Sequence, residues 1–229
     1  MTERELLTRG LAELGLNSPQ AVDNLLRFSE LLLERNKVMN LTAVREPMEV
    51  VTRHFLDCAP LAKYAAGRKM IDVGCGAGFP GMPVALLCDA DVTLLDSLGK
   101  RITFLNETIA EIGMTNAQAV HARAEEFGHR EAFDLATSRA VARLNVLAEL
   151  SLPFVKVGGY FIAMKAVGSD EEIEEAKNAI KLLGGKIEKI EDYTVPCTDV
   201  VHRLVHIRKV RPTPAKYPRR FGKISAQPL

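Results

Sequence analysis

The chain has 229 residues, 47% apolar and 26% charged, an ordinary globular composition that excludes a disordered chain, a coiled coil and a collagen-like fibre. No apolar run approaches the ~20 residues that span a bilayer, and the amino terminus, with Glu3, Arg4 and Glu5, lacks the apolar stretch of a secretory signal. Net charge is +1, but no acid follows Asp199, so the last thirty residues carry +8 and the rest −7; a basic tail on an acidic body points to a local polyanion site or to a solvated tail.

The first sixty-five residues read as helical. Thr2-Glu3-Arg4-Glu5 has capping-box spacing and Gly15 is a natural stop. Ser18-Pro19 places an N-cap before proline at the first helical position. Val22, Leu25, Leu26, Leu32 and Leu33 follow at helical spacing, widened by Phe28 and Leu31, with Ser29 the one polar residue on the stripe. A polar turn from Asn36 to Asn40 interrupts, and Pro47 begins another helix through about Leu61.

From Lys69 onward short apolar strands alternate with helices. Predicted strands are Lys69–Val73, Val92–Leu95, Ala117–Val120, Phe133–Thr137 and Tyr160–Met164, with Lys186–Ile190 and Val200–Ile207 as a final pair. Predicted helices are Met82–Cys88, Leu98–Ile112 with Gly113 at its end, one around Leu144–Leu150, and one opened by a capping box at Ser169–Glu172 and stopped by Gly184. This alternation predicts an open, largely parallel sheet with helices on both faces. The expected organisation is a helical cap over 1–65, a core domain over 66–210 and a basic tail over 211–229.

The informative stretch is Asp72-Val73-Gly74-Cys75-Gly76-Ala77-Gly78-Phe79-Pro80-Gly81. A strand ends in Asp72 and runs into Gly74, Gly76 and Gly78, where the absence of Cβ lets the backbone turn tightly and a ligand approach the main chain. The turn lies at the carboxyl end of the first strand, near the switch point of an open sheet. A second strand ends in Asp96, twenty-two residues after Gly74, where a carboxylate accepts from both ribose hydroxyls. Dinucleotide binders space their glycines GxGxxG because the pyrophosphate sits on a helix N-terminus. Here the spacing is GxGxG, Phe79-Pro80 crowds the helix start, and Asp72 suits an ammonium better than a phosphate. S-adenosylmethionine (AdoMet), with an ammonium and no phosphate, is the expected cofactor; a nicotinamide-dependent oxidoreductase is the rival, and a non-catalytic RNA-binding module a second.

The four cysteines (Cys58, Cys75, Cys88 and Cys197) contain no CxxC pair, which predicts a reduced, cytoplasmic protein without a disulfide framework or zinc ribbon. His202 and His206 have metal-compatible spacing without a third ligand, so they read as sheet histidines and no metal is expected. Cys75 reads as a small loop residue, not a nucleophile.

The segments DVGCGAGFPG (72–81), TLLDSLGKRITFL (93–105), ARAEE (122–126), TSRAVA (137–142) and KYPRR (216–220), with NKVMNLTA (36–43) and HFLD (54–57), resemble the RsmG family, also called GidB. The resemblance covers nearly the whole chain, departing at Cys75, where the pattern has serine, and at Ala166 after Lys165, where it has glycine. It implies a Rossmann-like class I AdoMet-dependent methyltransferase with a seven-stranded, mostly parallel sheet and an N-terminal helical extension. It implies methyl transfer to N7 of one guanine of bacterial 16S ribosomal RNA, guanine 527 in ribosomal numbering, in the small subunit or a precursor. It also implies cofactor contacts at Gly74, Phe79, Asp96, Ala124, Glu125 and Arg139, joining Asp72, Gly76 and Gly78 of the loop. A small residue beside an acceptor at Ala124-Glu125 suits an adenine, and the Arg139 fork suits the methionine carboxylate or a substrate phosphate.

Guanine N7 carries a free lone pair at neutral pH, so the reaction demands no general base and none is assigned. Lys165 is placed to donate to guanine O6 or a phosphate, or to be a solvated surface lysine. In the tail, Tyr217 and Phe221 interleave with Lys216, Arg219, Arg220 and Lys223, the pattern by which aromatics stack on splayed bases while cations hold the backbone.

Overall fold

A computed structural model describes residues 1–139 and 142–229; Ala140 and Val141 of the TSRAVA segment lie outside the described residues. The amino-terminal helices are α1 (Glu3–Glu13), α2 (Pro19–Met39), α3 (Pro47–Val50) and α4 (Ala62–Ala65). Thr2 closes a complete capping box on α1, and the Ser18 hydroxyl accepts from the Ala21 amide at the start of α2. Where a polar turn is expected from Asn36, α2 continues to Met39. Asn36 is buried and spends its amide on backbone, accepting from Thr42 N–H at 3.0 Å and donating to the Thr42 carbonyl at 2.9 Å. Helix and the following loop are thereby tied together, and Asn40 ends α2 in the left-handed region at φ 48°.

The expected single helix from Pro47 is broken. After α3 the chain widens into a π-helical turn over Val51–Leu56 before α4, and such bulges often mark functional positions.

The sheet strands are β1 (Lys69–Val73), β2 (Asp91–Asp96), β3 (Ala117–His121), β4 (Phe133–Arg139), β5 (Val155–Ala166), β6 (Gly185–Thr194) and β7 (Val201–Lys209). Between and after them lie α5 (Gly81–Leu87), α6 (Gly99–Ile112), α7 (Leu144–Ser151), α8 (Asp170–Leu182) and α9 (Phe221–Ala226). Strand order is β3-β2-β1-β4-β5-β7-β6, with β7 antiparallel to both neighbours and the rest running one way. The fold is the expected mixed α/β, Rossmann-like sheet of seven strands. Its order reverses between β1 and β4, which sets the crevice at the carboxyl ends of those strands.

Two apolar clusters cover the two sheet faces. One joins α1 and α2 to α5, α6 and sheet residues such as Met70 and Leu94, with Phe28 against Phe55 and Phe79 at centroid separations of 5.8 and 5.4 Å. The other joins α7 and α8 to the opposite face and takes in Tyr217 and Ile224 of the carboxyl-terminal segment. Among the described residues, no helix is long and apolar enough to cross a membrane.

Candidate functional site

At the ends of β1, β2 and β3 a cavity of about 480 Å³ is lined by Gly74, Asp96, Ser97, Arg101, Ala124 and Glu125, among others. The glycine loop reaches it through Gly74, and that loop is wired inward. The Gly74 and Cys75 amides both donate to the Leu95 carbonyl at 2.8 and 3.1 Å, and those of Gly78 and Phe79 to the Cys75 carbonyl at 2.8 and 2.9 Å. The Gly76 amide donates to Asp96 Oδ2 at 2.9 Å and the Gly81 amide to Asp72 Oδ2 at 2.8 Å. None of these six donors is left for a phosphate. Gly76 sits at φ +59° with open space where a side chain would stand, whereas a Cβ on Gly81 would come within 2.3 Å of Leu94 Cδ2.

Asp96 is both cavity wall and strut. Besides the Gly76 amide it accepts from the Leu98 amide at 2.8 Å and from Arg101 at 3.2 Å. A carboxylate offers about four acceptor positions, so releasing Arg101 leaves two for a ribose. Asp72 differs from its expected place facing an ammonium. It is fully enclosed beneath the loop, lines neither cavity, and leaves Oδ1 buried without a partner. Burial raises its carboxyl to about 7 against the pull of the Gly81 amide and of Arg139. Cys75 is equally enclosed, and burial beside Asp72 and Asp96 holds its thiol well above the ordinary range; a protonated thiol is no nucleophile. Small and enclosed, it fits the loop. Past β3, the turn Ala124–Glu126 puts Ala124 and Glu125 on the far wall.

A second cavity, of about 930 Å³, lies beyond Ala142, which lines both. The π-helical turn, the ends of β4 and β5 and the β6–β7 pair enclose it, and Arg139 and Lys165 stand on its wall. Arg139 ends β4 with its guanidinium over the Phe79 ring, 5.1 Å from the centroid. It donates to Asp57 Oδ2 at 3.1 Å and to the Arg53 carbonyl at 3.2 Å, and its other terminal nitrogen lies 3.1 Å from His54 Nδ1. His54 stacks on the same Phe79 ring at 4.3 Å. Burial, then the charge of Arg139, lowers the imidazole to about 4. It is therefore neutral; Nδ1 lies 3.0 Å from the Arg53 carbonyl as well as beside Arg139, and Nε2 lies 3.0 Å from Thr42 Oγ1, so both ring nitrogens have partners within the wall.

Asp57 is the centre of this wall. Its Oδ1 accepts from His202 Nδ1 at 2.6 Å and from the Tyr193 hydroxyl at 2.8 Å. Burial alone would raise its carboxyl, but hydrogen bonds from His202 and Tyr193 and the charge of Arg139 hold it below the ordinary value. In turn the Asp57 carboxylate raises His202. Sequence reasoning missed Asp57, Tyr193, His54 and His202 as a group. The HFLD segment carried the one available signal, since Asp57 follows the turn that presents His54. His206 instead meets Glu191 at 3.2 Å, and among the described residues no group of three ligand-type side chains could hold a metal.

Lys165 is not a solvated surface lysine. It is largely buried, donating to the Ala142 carbonyl at 2.9 Å and to Glu172 at 2.6 Å. Glu172 also accepts the Leu144 amide, so its side chain does not return to the Ser169 amide, and the Ser169 hydroxyl makes no cap bond of its own and is buried without a partner: the expected capping box does not form. Ala166 sits in regular ladder opposite His202, so β5 continues through the position where the family pattern has glycine.

The tail also departs from expectation. Tyr217 is 6% exposed and packed in the second core, so its ring is not free to stack on a base. Arg219 forks onto Glu149, a fully buried carboxylate of α7, with Nε and a terminal nitrogen at 2.8 and 2.6 Å; its charge is spent inside the protein. Lys216 and Arg220 remain exposed.

The model of the GidB family, rRNA small subunit methyltransferase G, matches residues 21–201. The chain belongs to the GidB family. A relative from Alkaliphilus metalliredigens named ribosomal RNA small subunit methyltransferase G is 46% identical, with both chains covered completely. One of the same name from Clostridium beijerinckii is 44% identical over 98% of each chain. Among solved structures, M. jannaschii TYW2 in complex with AdoMet shares the fold at a TM-score of 0.56, with 16% identity over 67% of this chain and 74% of that one. The A. metalliredigens relative thus matches the whole length, whereas the TYW2 likeness covers about two thirds of it.

Proposed function

We propose that this GidB-family chain, a methyltransferase of small-subunit ribosomal RNA, uses AdoMet to methylate N7 of a guanine in 16S RNA, guanine 527 in ribosomal numbering, in the bacterial cytoplasm. The observation that carries the cofactor choice is the inward wiring of the glycine loop. A diphosphate needs outward amides at a helix start, and the six loop amides above already have acceptors, two of them carboxylates.

What remains at the cavity suits a nucleoside without phosphates. Asp96 accepts from ribose hydroxyls, Glu125 and the small Ala124 face an adenine amine, and Gly74 on the cavity wall and Gly76, with open space at its missing Cβ, keep the approach to the main chain clear, while Gly78 lets the loop pack against Met82 and Leu105. Phe79 carries the Arg139 guanidinium on its ring, and Asp72 braces the loop from beneath through the Gly81 amide. Arg139, on the wall of the larger cavity three residues before the shared Ala142, holds the methionine carboxylate, leaving the rest of that cavity for the guanine. When bound, AdoMet supplies a methyl on a cationic sulfur, open to in-line displacement.

The residues of the larger cavity match a reaction without proton transfer. Asp57 is consumed by three donors and both nitrogens of His54 are engaged, so neither is a free base. Their work is to hold the acceptor, and orientation alone supplies roughly 7–11 kcal/mol. Lys165 offers its remaining donor to guanine O6 or a phosphate, while exposed Lys216 and Arg220 meet the RNA backbone. Calorimetry with AdoMet and with NAD separates the cofactors: NAD binding in place of AdoMet would establish an oxidoreductase. Labelled AdoMet with small subunits lacking the modification tests the activity, and mass spectrometry of the product maps the atom. AdoMet binding with no label in RNA would mean a non-catalytic RNA-binding module.

A further inference from the structure

Outside the site residues assigned above, one segment touches the nucleoside cavity from an unexpected direction. Phe221, just after the KYPRR segment, lines it together with Ala124 and Glu125. The Phe221 amide donates to Glu125 Oε1 at 3.2 Å, so the strap is hydrogen-bonded to the residue at the adenine end and leaves Oε2 of that carboxylate for a ligand. Phe221 is 42% exposed, the one aromatic among the exposed large apolar residues of the described residues. Leu98, which caps the start of α6, lines the same cavity and is 44% exposed. Two apolar side chains from distant parts of the chain thus meet water at one cavity.

Neither is loosely placed. Leu98 is held by its amide on Asp96. Phe221 is bracketed by anchors: on one side the Arg219–Glu149 fork, on the other the fully buried Ile224 of α9. Arg130 further grips the strap through the carbonyls of Tyr217 and Thr213. These anchors set the Phe221 backbone at the cavity in the docked strap, and a flat ligand packed on its ring would add to them.

We infer that Phe221 and Leu98 clamp the adenine of the cofactor, with the carboxyl-terminal strap as the detachable jaw. This rests on the AdoMet reading above and extends it, because it gives the basic tail a role in cofactor retention apart from RNA. Binding and strap docking are then coupled, and by linkage each strengthens the other.

Calorimetry on the full-length Phe221→Ala variant, with AdoMet and with 5′-methylthioadenosine, tests the clamp. The two ligands share the adenine and ribose, so both weaken about tenfold, the scale of a lost base–aromatic stack, while Phe221→Trp retains affinity. A measurement on the unaltered protein runs alongside: saturating AdoMet slows trypsin cleavage after Lys216, Arg220 and Lys223 about tenfold. Equal affinity in Phe221→Ala, or cleavage unaffected by AdoMet, overturns the clamp. If the unaltered protein binds neither ligand, it is the cofactor reading that falls.

Discussion

The two cavities are built by different means. The nucleoside side is local: its loop, its strut and its wall come from the ends of three adjacent parallel strands, and its glycine amides are satisfied within about twenty residues of sequence. The larger cavity is assembled from remote segments. Asp57 meets Tyr193 and His202 across 136 and 145 residues, and Arg139 reaches back 82 residues to Asp57. Local wiring tolerates changes elsewhere in the chain; remote wiring fails as a unit when one member goes.

Arg139 is a cation in the wall of the larger cavity, and its loss has the largest expected effect. Arg139→Ala leaves Asp57 short of a cation and removes the group beside His54 Nδ1. Stability falls by about 3 kcal/mol, as for other broken buried pairs, and methyl transfer falls about a hundredfold or more, the scale of a lost oriented donor. Urea melts and single-turnover assays read the two losses, and a normal rate would remove Arg139 from the site.

The two histidines of the larger cavity give it two opposed pH signatures, whereas on the nucleoside side it is the buried Asp72 carboxyl, raised to about 7, that titrates. His54 has a folded value of about 4 and an unfolded one near 6.5. In that interval the unfolded chain takes a proton that the folded chain refuses, so stability drops by about 2–3 kcal/mol as pH falls from about 6.5 to about 4. His202 is raised and has the opposite sign. Its pairing with Asp57 contributes fully below about 6.5 and is lost as pH rises through the raised value. Urea midpoints of His54→Gln and His202→Gln against the unaltered protein, from pH 4.5 to 8.5, should diverge in opposite directions. Parallel curves would contradict the buried geometry.

Two substitutions confine damage to the nucleoside side. Gly81→Ala drives a methyl group against Leu94 and lowers stability by about 2 kcal/mol, typical of overpacking, without changing RNA affinity. Asp96→Ala frees the Gly76 and Leu98 amides and weakens AdoMet about tenfold, near 1.4 kcal/mol, again with RNA binding preserved in filter assays. A matching loss of RNA affinity in either variant would show that the cavities are not separable.

The smallest effect belongs to the exposed cations. Lys216→Ala with Arg220→Ala lowers the slope of log affinity against log salt by about 1.4, at roughly 0.7 per single-strand phosphate. Arg219 is left intact because its removal would strand Glu149 in the core. An unchanged slope would mean that the tail does not meet the RNA backbone.

Most of the fold was legible because its signals are short-range. Capping at Thr2 and Ser18, Gly113 at the end of α6 and the run Lys69–Val73 appear where spacing puts them. Predictions failed where a side chain found a better partner far away. Asn36 looked like a turn residue but satisfies a loop from inside a helix; Glu172 looked like a cap but serves Lys165; Tyr217 and Arg219 looked like an RNA-binding patch but complete a core. In each case a polar or aromatic group had two outlets, and its neighbours in space chose between them.

Taken alone, the order of residues determined the alternation of strands and helices, the glycine turn after β1, and the carboxylate that ends β2, because backbone sterics and hydrophobic periodicity act over a few residues. Only the tertiary structure decided that the loop amides point inward, that Asp57 gathers Arg139, Tyr193 and His202, and that the basic tail folds back with Phe221 over the nucleoside cavity. Those outcomes depend on which buried charges and donors find each other once the sheet has closed the distance, since unpaired groups cannot be left in the interior.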